Sequence, residues 1–211
     1  MIKESKYFEV EYTDNDIAYI DRMLEDIDAE AERILSFFNI NNYNEKFHLI
    51  LIPTKKEFSN TIRELIHFED DQYGIGFVKD RIMYCLSYLD YKSTYYKDYN
   101  YDDFIKTIIH EFIHACHSYV KKGMSIRCIN EGLACYLSNQ YDNNEELTFD
   151  ASLEDLINDK MVNYDNYYLL MKYIFENYEK EYIDKIIYDK IFAREEIVKI
   201  YNRFNNGLER K

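Results

Sequence analysis

Ile109-His110-Glu111-Phe112-Ile113-His114 is the stretch on which the reading of this chain turns. On a helix, residues four apart stack on one face about 6 Å apart along the axis, so His110 and His114 can offer ring nitrogens to one metal ion. Glu111 then stands beside the ion without being a ligand. The pattern H-E-x-x-H on a helix reads as two zinc ligands with a general base. Of the 5 His in the chain, three (His110, His114 and His117) fall within eight residues. Around them Phe104, Ile105, Ile108, Ile109, Phe112, Ile113 and Cys116 predict a helix buried over most of its girth. Imidazole and carboxylate groups in such a helix need partners. A catalytic zinc site takes a third protein ligand and keeps a fourth position open. Seventeen residues past His114 comes Asn130-Glu131-Gly132-Leu133-Ala134, again helical in character, and Glu131 is the expected third ligand.

His110-Glu111-Phe112-Ile113-His114 followed by Asn130-Glu131-Gly132-Leu133-Ala134 resembles the gluzincin metallopeptidases, thermolysin-like zinc hydrolases whose third ligand is a Glu on the next helix. Within that group the chain is most similar to small peptidases of the MA-like superfamily, which carry E-G-x-A at the second helix. The likeness covers roughly residues 104–138. It departs where the family often has Pro and Trp, at Ile126 and Cys128 here, and neither position is a ligand. The resemblance implies an α+β, zincin-like fold and a zinc-dependent peptidase acting on a peptide or protein substrate. It implies one Zn2+ per chain, held by His110, His114 and Glu131, with Glu111 as general base. An edge strand ahead of the zinc helix would pair with the extended substrate, which makes Gly76 and Phe77 candidate substrate-binding residues. Gly74 and Gly76 would either permit that close approach or serve the turn geometry of a plain hairpin. A downstream Tyr would stabilise the developing oxyanion, Tyr164 before Tyr168. Two other readings stand beside this one: a regulatory protease of one specific protein, and a catalytically weak, zinc-containing peptide-binding module. Glu111 argues against the last, because a purely structural zinc has no use for a base there.

His117 lies seven residues past His110, and one straight helix cannot bend three His around a single ion. It is expected to be structural, as are His48 and His67. Metzincins are excluded because their further His would fall at Val120.

The chain of 211 residues has 47% hydrophobic and 31% charged residues, a globular balance able to bury a real core. Its net charge of −14 repels phosphate backbones and anionic lipid, which disfavours nucleic acid and membrane surfaces as partners. No apolar run follows the N-terminus and no stretch has transmembrane length, so a cytoplasmic location is expected. Cys85, Cys116, Cys128 and Cys135 form no C-x-x-C pair and read as buried, reduced thiols.

In chain order, residues 7–12 alternate as a strand. A long amphipathic helix follows to about Asn39, capped by Asp14 or Asn15. Phe47–Ile52 suits an inner strand ended by Pro53, and Thr54 with Glu57 caps a helix over 55–67. Residues 73–86 predict a β-hairpin turning at Lys79-Asp80, and 88–101 a loop. The zinc helix should start at Asp102 or Asp103 and end near Lys121, with Gly123 as C-cap. The Glu131 helix should span about 126–140, with Ile129, Leu133, Ala134 and Tyr136 packing inward. A solvated linker at 142–146 and four further helices complete the chain. Residues 1–141 thus form the expected catalytic lobe, and 142–211 a helical C-terminal lobe closing the cleft.

Overall fold

The computed structural model describes residues 1–41, 43, 45–67, 74–120, 125–141 and 147–208. The protein is α+β, with a five-stranded mixed sheet and several helices. It forms two compact units, Met1–Val120 and Lys121–Lys211. Among the described residues no helix is long and apolar enough to cross a membrane.

The sheet belongs to the first unit and comprises β1 (Ile2–Glu4), β2 (Phe8–Glu11), β3 (Phe47–Ile52), β4 (Gly76–Lys79) and β5 (Ile82–Leu86). The spatial order is β1-β2-β3-β5-β4; the two edge strands pair antiparallel and the inner pairs are parallel. The parallel step from β2 to β3 is made through α1 (Ile20–Phe37). β3 is the inner strand the sequence predicts, although His48 on its outer face is exposed, with Nδ1 2.9 Å from Glu9 Oε1 on the neighbouring strand. Thr54 caps α2 (Lys55–Ile66) by accepting a bond from the Glu57 N–H at 3.2 Å. The expected hairpin forms, and its turn lies at Asp80-Arg81, both at positive φ (50° and 67°). That is the two-residue turn whose twist suits the flanking strands.

One strand goes beyond the expectations, and two local expectations are corrected. Strand β1 was not legible, because its pattern is mostly exposed and carries no apolar alternation. Neither Asp14 nor Asn15 caps α1. Thr13 instead opens a short 3-10 turn over Asp14–Asp16, and Asp16 folds back to accept from the Thr13 N–H at 2.9 Å. The buried Asp16 carboxylate also accepts from Ser87 Oγ at 2.6 Å and from the Tyr19 hydroxyl, so the charge is fully partnered. Residues 88–101 are not all loop: Tyr88–Ser93 forms a 3-10 helix whose Tyr91 is buried among Tyr88, Tyr99 and Phe104. The expected positions of Tyr73, the Gly123 cap and the 142–146 linker lie outside the described residues.

Next comes α3 (Tyr101–Tyr119), started by Asn100 in a capping box with Asp103. The second unit contains α4 (Arg127–Leu137), α5 (Leu153–Ile157), α6 (Tyr164–Asn177), α7 (Lys180–Tyr188) and α8 (Lys190–Leu208). Ile129, Leu133 and Ala134 of α4 are buried, and half-buried Tyr136 stacks on Phe175 at 4.4 Å. The main partner of α4 within its unit is α6. Gly132 permits that approach, since a Cβ there would stand 2.6 Å from the Tyr167 carbonyl oxygen and 3.1 Å from Met171 Cβ.

Helix propensity alone would favour Gly132→Ala by about 1 kcal/mol. Overpacking against a backbone carbonyl that cannot swing aside costs about 1–3 kcal/mol. The variant is therefore expected to lower the urea midpoint, followed by far-UV circular dichroism, despite its better helix former. A second expectation concerns pH. Burial, and then the Asp159 carboxylate, raise the Cys128 thiol from 9.0 to about 12. The folded chain thus keeps a proton that the unfolded chain loses, and stability present below pH 9 is lost as the pH climbs toward 12. Melting temperatures from pH 7 to 11 should fall less steeply in Cys128→Ala than in the parent.

Candidate metal centre

The orientation of α3 follows from Phe112. Its ring meets Phe8 of β2 edge-on at 5.0 Å and Phe47 of β3 at 4.8 Å, so it is wedged into the face of the sheet. With about 100° between successive helical residues, Phe104, Ile108, Phe112 and Ala115 share one stripe, and all four are buried. His110 and His114 then fall on roughly the opposite side, about 40° apart. Their Nε2 atoms are 3.1 Å apart and their rings 4.8 Å between centroids at 75°. Tetrahedral zinc at roughly 2.0–2.1 Å from two imidazoles spaces their nitrogens by about 3.3 Å, so the pair already has the separation of two ligands of one ion.

Among the described residues, one group can hold a metal ion: His110, His114 and Glu131, each offering one ligand atom within 4.8 Å of the others. His110 is buried, and His114 and Glu131 are half-buried. Two imidazoles and a carboxylate suit a divalent transition metal and leave coordination positions over.

Glu111 lies between the sheet-facing stripe and the histidine face of α3. Its side chain rests on the far edge of the sheet, where Gly76 of β4 pairs with Cys85 of β5. A Cβ on Gly76 would stand 2.6 Å from Glu111 Oε1. Burial pushes the Cys85 thiol well up, and the Glu111 carboxylate adds to the shift. Phe77, one residue on, points to the other face of the strand. There its ring stacks on Tyr84 at 4.7 Å and meets Phe58 edge-on at 5.6 Å.

Tyr164 opens α6, half-buried, with its ring edge-on to Tyr167 at 5.5 Å. Tyr168 is buried and packs against Tyr136 and Tyr141. His117 is buried and stacks on Phe38 at 6.0 Å, and His67 takes the left-handed C-cap of α2. All four cysteines are buried. Sequence reasoning missed the part played by Gly76 toward Glu111, since no local pattern links a strand residue to a helix thirty-five positions later. No protein family, curated protein or solved structure matches the chain.

Because Phe112 sets the rotation of α3, Phe112→Ala is expected to cost about 3–5 kcal/mol, the usual range for emptying a buried aromatic site. The check is chemical denaturation, with Phe112→Leu expected to recover most of the loss.

Proposed function

We propose that this chain is a zinc-dependent peptidase of the gluzincin type. The observation that carries the proposal is the arrangement of His110, His114 and Glu131 within 4.8 Å, with a carboxylate at the intervening Glu111. The sequence likeness of both motifs supports the same reading. In it, the ring nitrogens of His110 and His114 and a Glu131 carboxylate oxygen hold the ion. Zinc, when bound, acidifies a water to a pKa near 7 and polarises the substrate carbonyl. Glu111 takes the proton of the attacking water and hands it to the leaving amine. The outward side of edge strand β4 offers backbone N–H and C=O groups to an extended peptide, a general mode of peptide recognition. The Phe77 ring is held by Tyr84 and Phe58, so its contribution to substrate binding is through its backbone. A second donor is needed beside the developing oxyanion. Tyr164 is the proposed donor, because Tyr168 is 2% exposed and packed among tyrosines.

Elemental analysis of the chain purified without chelator or affinity tag should find one zinc in the parent and in Glu111→Gln, and none in His114→Ala. In a peptide-library screen Glu111→Gln should cleave about 10²–10⁴-fold more slowly, the usual contribution of a general base. A parent that takes up no zinc even on incubation, or a Glu111→Gln chain that cleaves at the parental rate, would overturn the proposal.

A further inference from the structure

We infer that Gly76 is the positioning residue of the site: its missing side chain sets where the Glu111 carboxylate stands. The backbone does not require glycine at this position, since the φ of Gly76 lies outside the left-handed region. Glycine is moreover a poor strand former, and one inside a strand marks a bulge or a close approach. Here the approach is made by one side chain. The three atoms nearest to a Cβ built on Gly76 all belong to Glu111: Oε1 at 2.6 Å, Cγ at 2.8 Å and Cδ at 3.0 Å. The space that any other amino acid would fill is the space this carboxylate occupies.

Neither backbone can give way. β4 is held in register on β5, with Gly76 opposite Cys85, and the Leu86 N–H donates to the Ile75 carbonyl at 2.9 Å. Just ahead of the strand, Lys55 Nζ donates to the Gly74 carbonyl at 2.6 Å. The Phe77 ring, stacked on Tyr84, pins the next residue. On the other side, Phe112 between Phe8 and Phe47 locks the turn of α3 that carries Glu111. A methyl group at position 76 therefore moves the Glu111 side chain and little else. Displacing a general base by about 1 Å is costly to catalysis, which depends on near-attack geometry.

The catalytic consequence rests on the peptidase reading; the placement of Glu111 does not, and two experiments separate them. The first is a stability cycle of Gly76→Ala, Glu111→Ala and the double variant, at matched zinc content. Gly76→Ala should lower the melting temperature when Glu111 is present. It should leave it unchanged or raise it in the Glu111→Ala background, where the methyl enters vacated space. An equal effect in both backgrounds would overturn the inference. The second is steady-state cleavage. Gly76→Ala should keep its zinc and lose at least tenfold in kcat with KM within about twofold, because the base has moved while the strand edge is intact. A raised KM with kcat unchanged would instead make Gly76 a substrate contact and also overturn the inference. If the parent cleaves nothing, the peptidase reading fails, and the stability cycle still decides whether Gly76 places Glu111.

Discussion

The wedge of Phe112 between Phe8 and Phe47 is the contact on which the rest of the first unit depends. Burying one aromatic side chain in the sheet face settles which way a nineteen-residue helix is rolled. Once α3 is rolled that way, helical periodicity does the remainder. His110 and His114 are turned off the sheet together, and Glu111, a quarter turn from His110, comes to rest at the β4 edge. A roll of one residue would turn the imidazoles onto the apolar sheet face, where an unpartnered polar group costs more than the packing returns. The tight core and the metal-ligating imidazoles are thus two faces of one helix orientation.

Two glycines show how differently the same absence of a side chain can be used. At Gly132 the neighbour is the Tyr167 carbonyl, part of the α6 backbone, so the glycine serves helix packing. At Gly76 the neighbour is the end of a flexible carboxylate side chain, so the glycine serves placement. Distances alone do not separate the two cases, since both closest approaches are 2.6 Å. What separates them is whether the opposing atom can swing away.

Much of the fold was legible because burial and local periodicity coincided. Phe8 and Val10, four residues of the run Phe47–Ile52 (Phe47, Leu49, Leu51 and Ile52) and the α1 stripe from Ile20 to Leu35 are buried as their patterns predict, whereas His48 and, ahead of the helix, Ile17 are exposed. The turn of the β4–β5 hairpin was located to within one residue. Legibility failed where tertiary contact overrode local composition. Tyr88–Ser93 looks like a polar loop, yet Tyr91 is carried into the core against the ring of Phe104, which belongs to α3. The three residues of β1 have no pattern of their own, and they form a strand because β2 offers an edge to pair with.

For the site, the sequence by itself determined the identity and spacing of the α3 groups. His110, Glu111 and His114 lie within little more than one helical turn, and the 3.6-residue period brings two imidazoles to one face in any such helix. The sequence also determined that this helix would be buried, because its other faces are apolar. Only the tertiary structure decided which residue stands against the Glu111 carboxylate, which aromatic rings hold the helix roll, and that a Glu131 ligand atom comes within 4.8 Å of both histidines. The physical reason is range. Backbone periodicity acts over four residues, whereas these contacts join segments tens of residues apart, and packing selects them only once the whole chain has closed on its core.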